Sequence, residues 1–215
     1  MKNKVINLRL LSIIGGVSYL IIFFAAIFAN FLVLESIQKE PLSAIQENQL
    51  LLRFGIIAFL ITVVFDVVVA WVLYELYRDN ILSGLSTLFR MMHAAIMGVS
   101  IYALVHSISA INEDEILKQV EIFNIIWLIG LFFFGIHLIL LSRIIKQLRL
   151  ITIFLFIAGI MYVIDTGAHF LLSNYNEYKS LFLSLVAIPS IIGEMSLAIW
   201  LLIKGGRNLD KSLAK

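Results

Sequence analysis

Asp66, Arg90, His93, His137, Asp165, His169 and Glu194 all fall inside long apolar runs of this 215-residue sequence. Carboxylates with imidazoles and a guanidinium can relay protons, hold a cation, or pin helices together. Each of those jobs requires the groups to meet away from water. Depth supports a meeting. At the helical rise of about 1.5 Å per residue, Arg90, His93, Asp66, Glu194 and His137 lie roughly 7–17 Å from the same ends of their runs. Tyr162, Asp165 and His169 lie further along and read as a second polar layer.

The neighbours of these residues form stripes. Ser86, Arg90, His93, Met97, Ser100 and Ser107 recur at helical spacing on one face. Thr62 shares a face with Asp66, Ser190 with Glu194, and Tyr162 with Asp165 and His169. Such faces suit contact with other helices better than contact with lipid. The charges do not cancel, because Arg90 can balance one of Asp66 and Glu194 but not both. The other acid then needs a proton, water, a histidine or a cation.

Three readings follow. In the first, Arg90 and one acid are an interhelical clamp, since polar groups commonly pin membrane helices together. In the second, the cluster is a proton or ion pathway, which intramembrane ionisable residues often mark. In the third, His137, Asp165, His169 and Glu194 form an intramembrane metal-dependent enzyme. The Asp165/His169 spacing arises easily by chance, however, and no His-Glu-x-x-His pattern is present, so neither a metal nor a cofactor is expected. No serine sits in a Gly-x-Ser-x-Gly turn. Pro189, five residues before Glu194, removes a backbone donor inside a helix, and Gly193 leaves room beside the acid. Together they are a candidate hinge.

The elements that position these residues follow from composition. Of all residues, 61% are hydrophobic and 14% charged, with a mean hydropathy of +1.02. Soluble domains carry about a quarter charged residues, and one of this size could not bury so much apolar surface. A lipid bilayer is the expected partner. There is no cysteine and the net charge is +2, so thiolate sites are excluded and nothing suggests nucleic acid.

Six runs reach the roughly 20 residues needed to span: about Leu10–Leu34, Leu50–Tyr77, Ser83–Ile111, Val120–Leu141, Leu150–Leu172 and Leu181–Ile203. They lack the alternation of barrel strands, and lipid demands internally bonded backbone. The expected fold is all-α: a six-helix transmembrane bundle, with residues 1–215 as a single transmembrane domain. The first run is too long for a signal-peptide core and reads as a retained helix.

Connections alternate in charge. Lys2, Lys4, Arg9, Arg78, Arg143, Lys146, Arg149, Lys204, Arg207, Lys211 and Lys215 fall in one set. Glu35, Lys39, Glu40, Glu47, Glu113, Asp114, Glu115, Lys118, Glu177 and Lys179 fall in the other. The positive-inside rule puts the first set, and both termini, in the cytoplasm. Ser12/Gly16, Ala25/Ala29 and Ala94/Gly98 permit close helix contact, but do not identify an interface with a second copy or another membrane protein.

The sequence resembles a bacterial family of small polytopic membrane proteins, domain of unknown function 4386, over nearly its whole length. The carriers are Tyr19-Leu-Ile-Ile, Asp66-Val-Val-Val-Ala-Trp-Val-Leu-Tyr74 and Phe89-Arg-Met-Met-His-Ala-Ala95. Further along they are Phe134-Gly-Ile-His137, Tyr162-Val-Ile-Asp165 and Gly193-Glu-Met-Ser-Leu-Ala-Ile-Trp200. His93 departs from the glutamine more usual there, which weakens a metal or proton role for it. The resemblance implies a compact six-helix protein of a bacterial plasma membrane and carries no activity.

Overall fold

A computed structural model describes residues 7–206, so Lys2, Lys4, Arg207, Lys211 and Lys215 of the basic set lie outside the described residues. Six helices are long and apolar enough to cross a membrane: α1 (Leu8–Lys39), α2 (Gln49–Tyr77), α3 (Ile81–Ser107), α4 (Glu113–Ile144), α5 (Arg149–Leu171) and α6 (Tyr175–Ile203). The chain is a multi-pass membrane protein. Its lipid-facing surface is apolar, with Phe24, Phe31, Val64, Val99 and Ile188 among the exposed side chains.

Several helices run past the apolar stretches that define the spans. At 32 residues, α4 is about 48 Å long, against a hydrocarbon core of about 30 Å. Its extra turns are polar. The Asn112 side chain accepts from the Glu115 backbone N–H at 2.9 Å, and Glu113, Asp114 and Glu115 occupy the first turn, where the helix dipole favours acids. The acidic segment read as a loop is therefore the start of α4. Likewise α6 begins at Tyr175, enclosing Glu177 and Lys179. α1 passes through a π-helical stretch, Phe28–Leu34, before ending at Lys39. A short helix, Pro41–Gln46, then starts on Pro41, whose missing N–H costs nothing at that position.

Each long helix packs mainly on its neighbours in sequence, and α6 returns to α1. The result is a closed ring. Two joints depend on missing side chains. A Cβ on Gly135 of α4 would lie 2.7 Å from the Gly159 carbonyl of α5, and one on Gly159 would lie 2.6 Å from the Gly135 carbonyl. Where α1 meets α6, a Cβ on Gly16 would lie 2.9 Å from the Ala198 carbonyl. Arg9 fastens the same joint by donating to the carbonyls of Leu201 (2.9 Å), Gly205 (3.0 Å) and Leu202. These are otherwise orphaned carbonyls at the end of α6. Of the small-residue pairs, Ser12/Gly16 lies at this joint, whereas a Cβ on Gly98 would meet only Val63 at 3.8 Å.

Two apolar clusters close the ring. Near the short helix, Ile37, Ala44, Ile45, Leu52, Phe59, Leu104, Ile116 and Phe123 pack together. Towards the described termini, Leu11, Leu73, Leu76, Leu138, Leu141, Leu155, Leu197 and Leu201 do so. Asp66 lies between the two clusters on α2, with Phe59 in one and Val69 in the other. Gly159→Ala is expected to lower the thermal midpoint of the detergent-solubilised protein, with overpacking costing about 1–3 kcal/mol. Gly167→Ala, where a Cβ meets nothing within 4 Å, is expected to leave it unchanged. Equal midpoints would contradict this account of the α4–α5 joint.

Candidate functional site

The long side chain of Arg90 projects from the buried stripe of α3 into the ring and is only 1% exposed. Its Nη2 donates to Asp66 Oδ1 of α2 at 2.5 Å. Its Nη1 donates to the Tyr19 hydroxyl of α1 at 3.0 Å and reaches His137 Nε2 of α4 at 3.3 Å. The guanidinium also lies 5.0 Å from the Tyr19 ring centroid and 5.2 Å from that of Phe134, in reach of cation–π attraction. One side chain thus ties α1, α2, α3 and α4.

Arginine has no acceptor, so His137 Nε2 must accept and the imidazole proton sits on Nδ1. Nδ1 then donates to the Ser86 carbonyl at 3.0 Å, and the Ser86 hydroxyl lies 2.9 Å from the same nitrogen. His137 is committed to helix pairing on both sides. His93, its ring tilted against Phe134 at 4.7 Å between centroids, holds Nε2 3.7 Å from Asp66 Oδ2, beyond hydrogen-bond reach. Its Nδ1 and Arg90 Nε have no partner among protein atoms. Ser100 and Ser107, on the same stripe, spend their hydroxyls on carbonyls of their own helix.

Glu194 is bound differently. Its Oε1 accepts from the Ser190 hydroxyl one turn earlier at 2.6 Å, and the Ser190 oxygen lies 3.1 Å from the Tyr162 hydroxyl of α5. No salt bridge reaches Glu194 among the described residues. Tyr162, grouped by sequence with the outer layer, therefore joins Glu194, because its phenol extends towards α6 and finds Ser190. Asp165 and His169 do stay apart. The Tyr175 hydroxyl donates to Asp165 Oδ1 at 2.6 Å, and its ring lies 4.7 Å from that of His169. Gly193 admits α5, a Cβ there lying 3.1 Å from the Leu155 backbone nitrogen. Pro189 is buried inside α6, leaving the Leu185 carbonyl without its helical donor.

Both groups border one cavity of about 200 Å³. Tyr19, Asp66, Arg90, His93, Tyr162 and Glu194 supply its polar wall, and Phe23, Met97, Trp127, Phe134 and Met195 much of the rest. The space would hold several waters at about 30 Å³ each. His137, Asp165, His169 and Glu194 do not assemble as a ligand set, and no group of three or more His, Cys, Asp or Glu side chains is placed to hold a metal ion among the described residues. The enzyme reading built on those four loses its geometry, because His137 is spent on Arg90 and Ser86 while Asp165 faces Tyr175.

Sequence reasoning missed Tyr19 as an arginine partner and Tyr175 as the partner of Asp165. A tyrosine in an apolar run is only weakly polar, so neither stood out. Tyr19 did carry part of the family resemblance, which was the available signal.

Residues 14–205 match the profile of a family described as Domain of unknown function (DUF4386). An uncharacterised protein of the archaeon Archaeoglobus fulgidus is 30% identical over 158 residues, covering 71% of this chain and 84% of that protein. No solved structure matches the chain.

Replacing Asp66 by Leu or Arg90 by Met alone is expected to cost about 3–5 kcal/mol, because each leaves a buried charge unpaired. The double replacement should recover much of that loss. Unfolding in a mixed-detergent titration measures the cycle; additive costs would show that the two groups do not depend on each other.

Proposed function

The chain belongs to the DUF4386 family, and from that premise we propose that it is a small transporter or ion-conducting protein whose central cavity receives the cargo. The observation that carries this reading is the unequal use of charge. Arg90 is occupied by Asp66, Tyr19 and His137, whereas Glu194 faces the same cavity with, among the described residues, only a serine hydroxyl as hydrogen-bond partner. A carboxylate placed like this needs a proton or a cation, and exchanging one for another is the elementary step of coupled transport. Pro189 is the hinge of this reading: it interrupts the backbone ladder one turn from Glu194, where α6 would have to move. Asp165, His169 and Tyr175 form a second polar contact between α5 and α6 on the far side of that hinge.

The whole chain acts as one transmembrane unit in a bacterial plasma membrane, with the basic connections and both termini in the cytoplasm. The alternation of Lys and Arg between connections supports that orientation. Because the chain lacks cysteine, single cysteines can test it. With an impermeant maleimide on intact cells, Ser109→Cys is expected to label and Gln147→Cys to stay unlabelled; the reverse pattern would invert the topology.

A second reading, a non-catalytic module that stabilises another membrane protein or a second copy, draws on the closed pairing of Arg90 with Asp66. Proton-linked flux in liposomes separates the two. Glu194→Gln is expected to abolish flux at normal folded yield, while Asp66→Asn chiefly lowers yield. Wild-type flux in Glu194→Gln would overturn the transport reading, and absence of flux in the wild type would favour the module.

A further inference from the structure

We propose that the cargo bound at Glu194 is a substituted ammonium ion, an amine or quaternary ammonium carrying apolar groups, that reaches the cavity sideways between α1 and α6. This inference rests on reading the cavity as a ligand site. The first support is the chemistry of the wall. Glu194 is the carboxylate of the wall outside the Arg90–Asp66 pair, and the rest of the wall includes aromatic rings and thioethers from Phe23, Trp127, Tyr162, Met97 and Met195. Aromatic faces attract weakly hydrated organic cations, and rings around a quaternary ammonium are a recurring recognition mode. Tyr19 and Phe134 are already engaged with Arg90; Phe23, Trp127 and Tyr162 show no such cation contact among the described residues.

The wall fits a hard metal ion poorly. Calcium takes six to eight oxygen ligands and magnesium a near-octahedral set. Here Asp66 is bound to Arg90 and the Ser190 hydroxyl already donates to Glu194. Size points the same way. About 200 Å³ is far more than a proton or a bare ion requires, but suits a small organic molecule. An anion is disfavoured, because the arginine that could receive it faces Asp66 and the free charge of the wall is negative.

The second support is the route. α6 packs on α1 around Gly16, Ala198 and Leu202, on the described-termini side of Glu194. Beyond Glu194, Leu181, Leu183, Leu185 and Ile188 are exposed, and Ile191 is half exposed while also lining the cavity. Ile191 thus borders both the cavity and the lipid-facing surface, and marks where the two come close. A cation shielded by apolar substituents enters hydrocarbon at lower cost than an inorganic ion, so a sideways route favours it.

Binding of benzyltrimethylammonium to the full chain in nonionic detergent, followed by tryptophan emission, tests the inference against its neutral isostere neopentylbenzene. The wild type should bind the cation at least tenfold more tightly than the isostere. Glu194→Gln should weaken the cation at least tenfold with an unchanged thermal midpoint, and Glu194→Asp should restore part of the loss. In nanodiscs, competition by phosphatidylethanolamine would assign the ammonium to a lipid headgroup, and lack of competition to a free amine; either supports the chemistry. Equal binding of the isostere, or undiminished cation binding by Glu194→Gln, overturns it. Glu194-dependent proton flux without ammonium binding would defeat this inference alone, and loss of both would remove the transport reading with it.

Discussion

A guanidinium that is 1% exposed in the middle of a helix ring is cut off from bulk water. Its desolvation must be offset by partners held in place by neighbouring helices. Arg90 meets that demand with a carboxylate from α2, a phenol from α1 and an imidazole from α4. Those three contacts fix the rotation of their helices about their own axes. A helix turned to present lipid-facing residues instead would leave a buried charge unpaired. The tautomer of His137 follows from the same demand, and Ser86 follows from the tautomer. Much of the polar chemistry on α3 and α4 is thus explained by one cation.

What that arginine does not satisfy then becomes informative. Glu194 stands across the same cavity on the joint that closes the ring, where α6 meets α1 and α5. Its hydrogen bonds run to Ser190 and on to Tyr162. The ring therefore has one half, α1 to α4, organised by the Arg90–Asp66 pair, and an α5–α6 half carrying an acid with no salt bridge among the described residues, beside a proline. The salt-bridged pair and the acid outside it are thus held on different helices.

The bundle was legible because lipid leaves few alternatives: apolar runs of spanning length can only be helices. The polar stripe of α3 and the surplus acid were legible for a related reason, since a charge in hydrocarbon has to be answered. Helix ends were less so, because Asn112 and the acids after it form a cap and first turn that resemble a polar loop. Side-chain reach was not legible at all. Tyr162 lies one turn from Asp165 in sequence, yet its long phenol carries the hydroxyl to Ser190. Asp66 and Glu194 lie at comparable depth, and only the directions of their helices decide which of them Arg90 meets.

The central claim is that Arg90 pairs with Asp66 and not with Glu194. Nitrogen-15 spectra of arginine-labelled protein, with the Arg90 guanidinium signal assigned through Arg90→Lys, test it most directly. Asp66→Asn should displace that signal strongly, while Glu194→Gln should leave it almost in place. A large displacement on Glu194→Gln with little on Asp66→Asn would show that the arginine answers the other acid, and would contradict the division of labour described here.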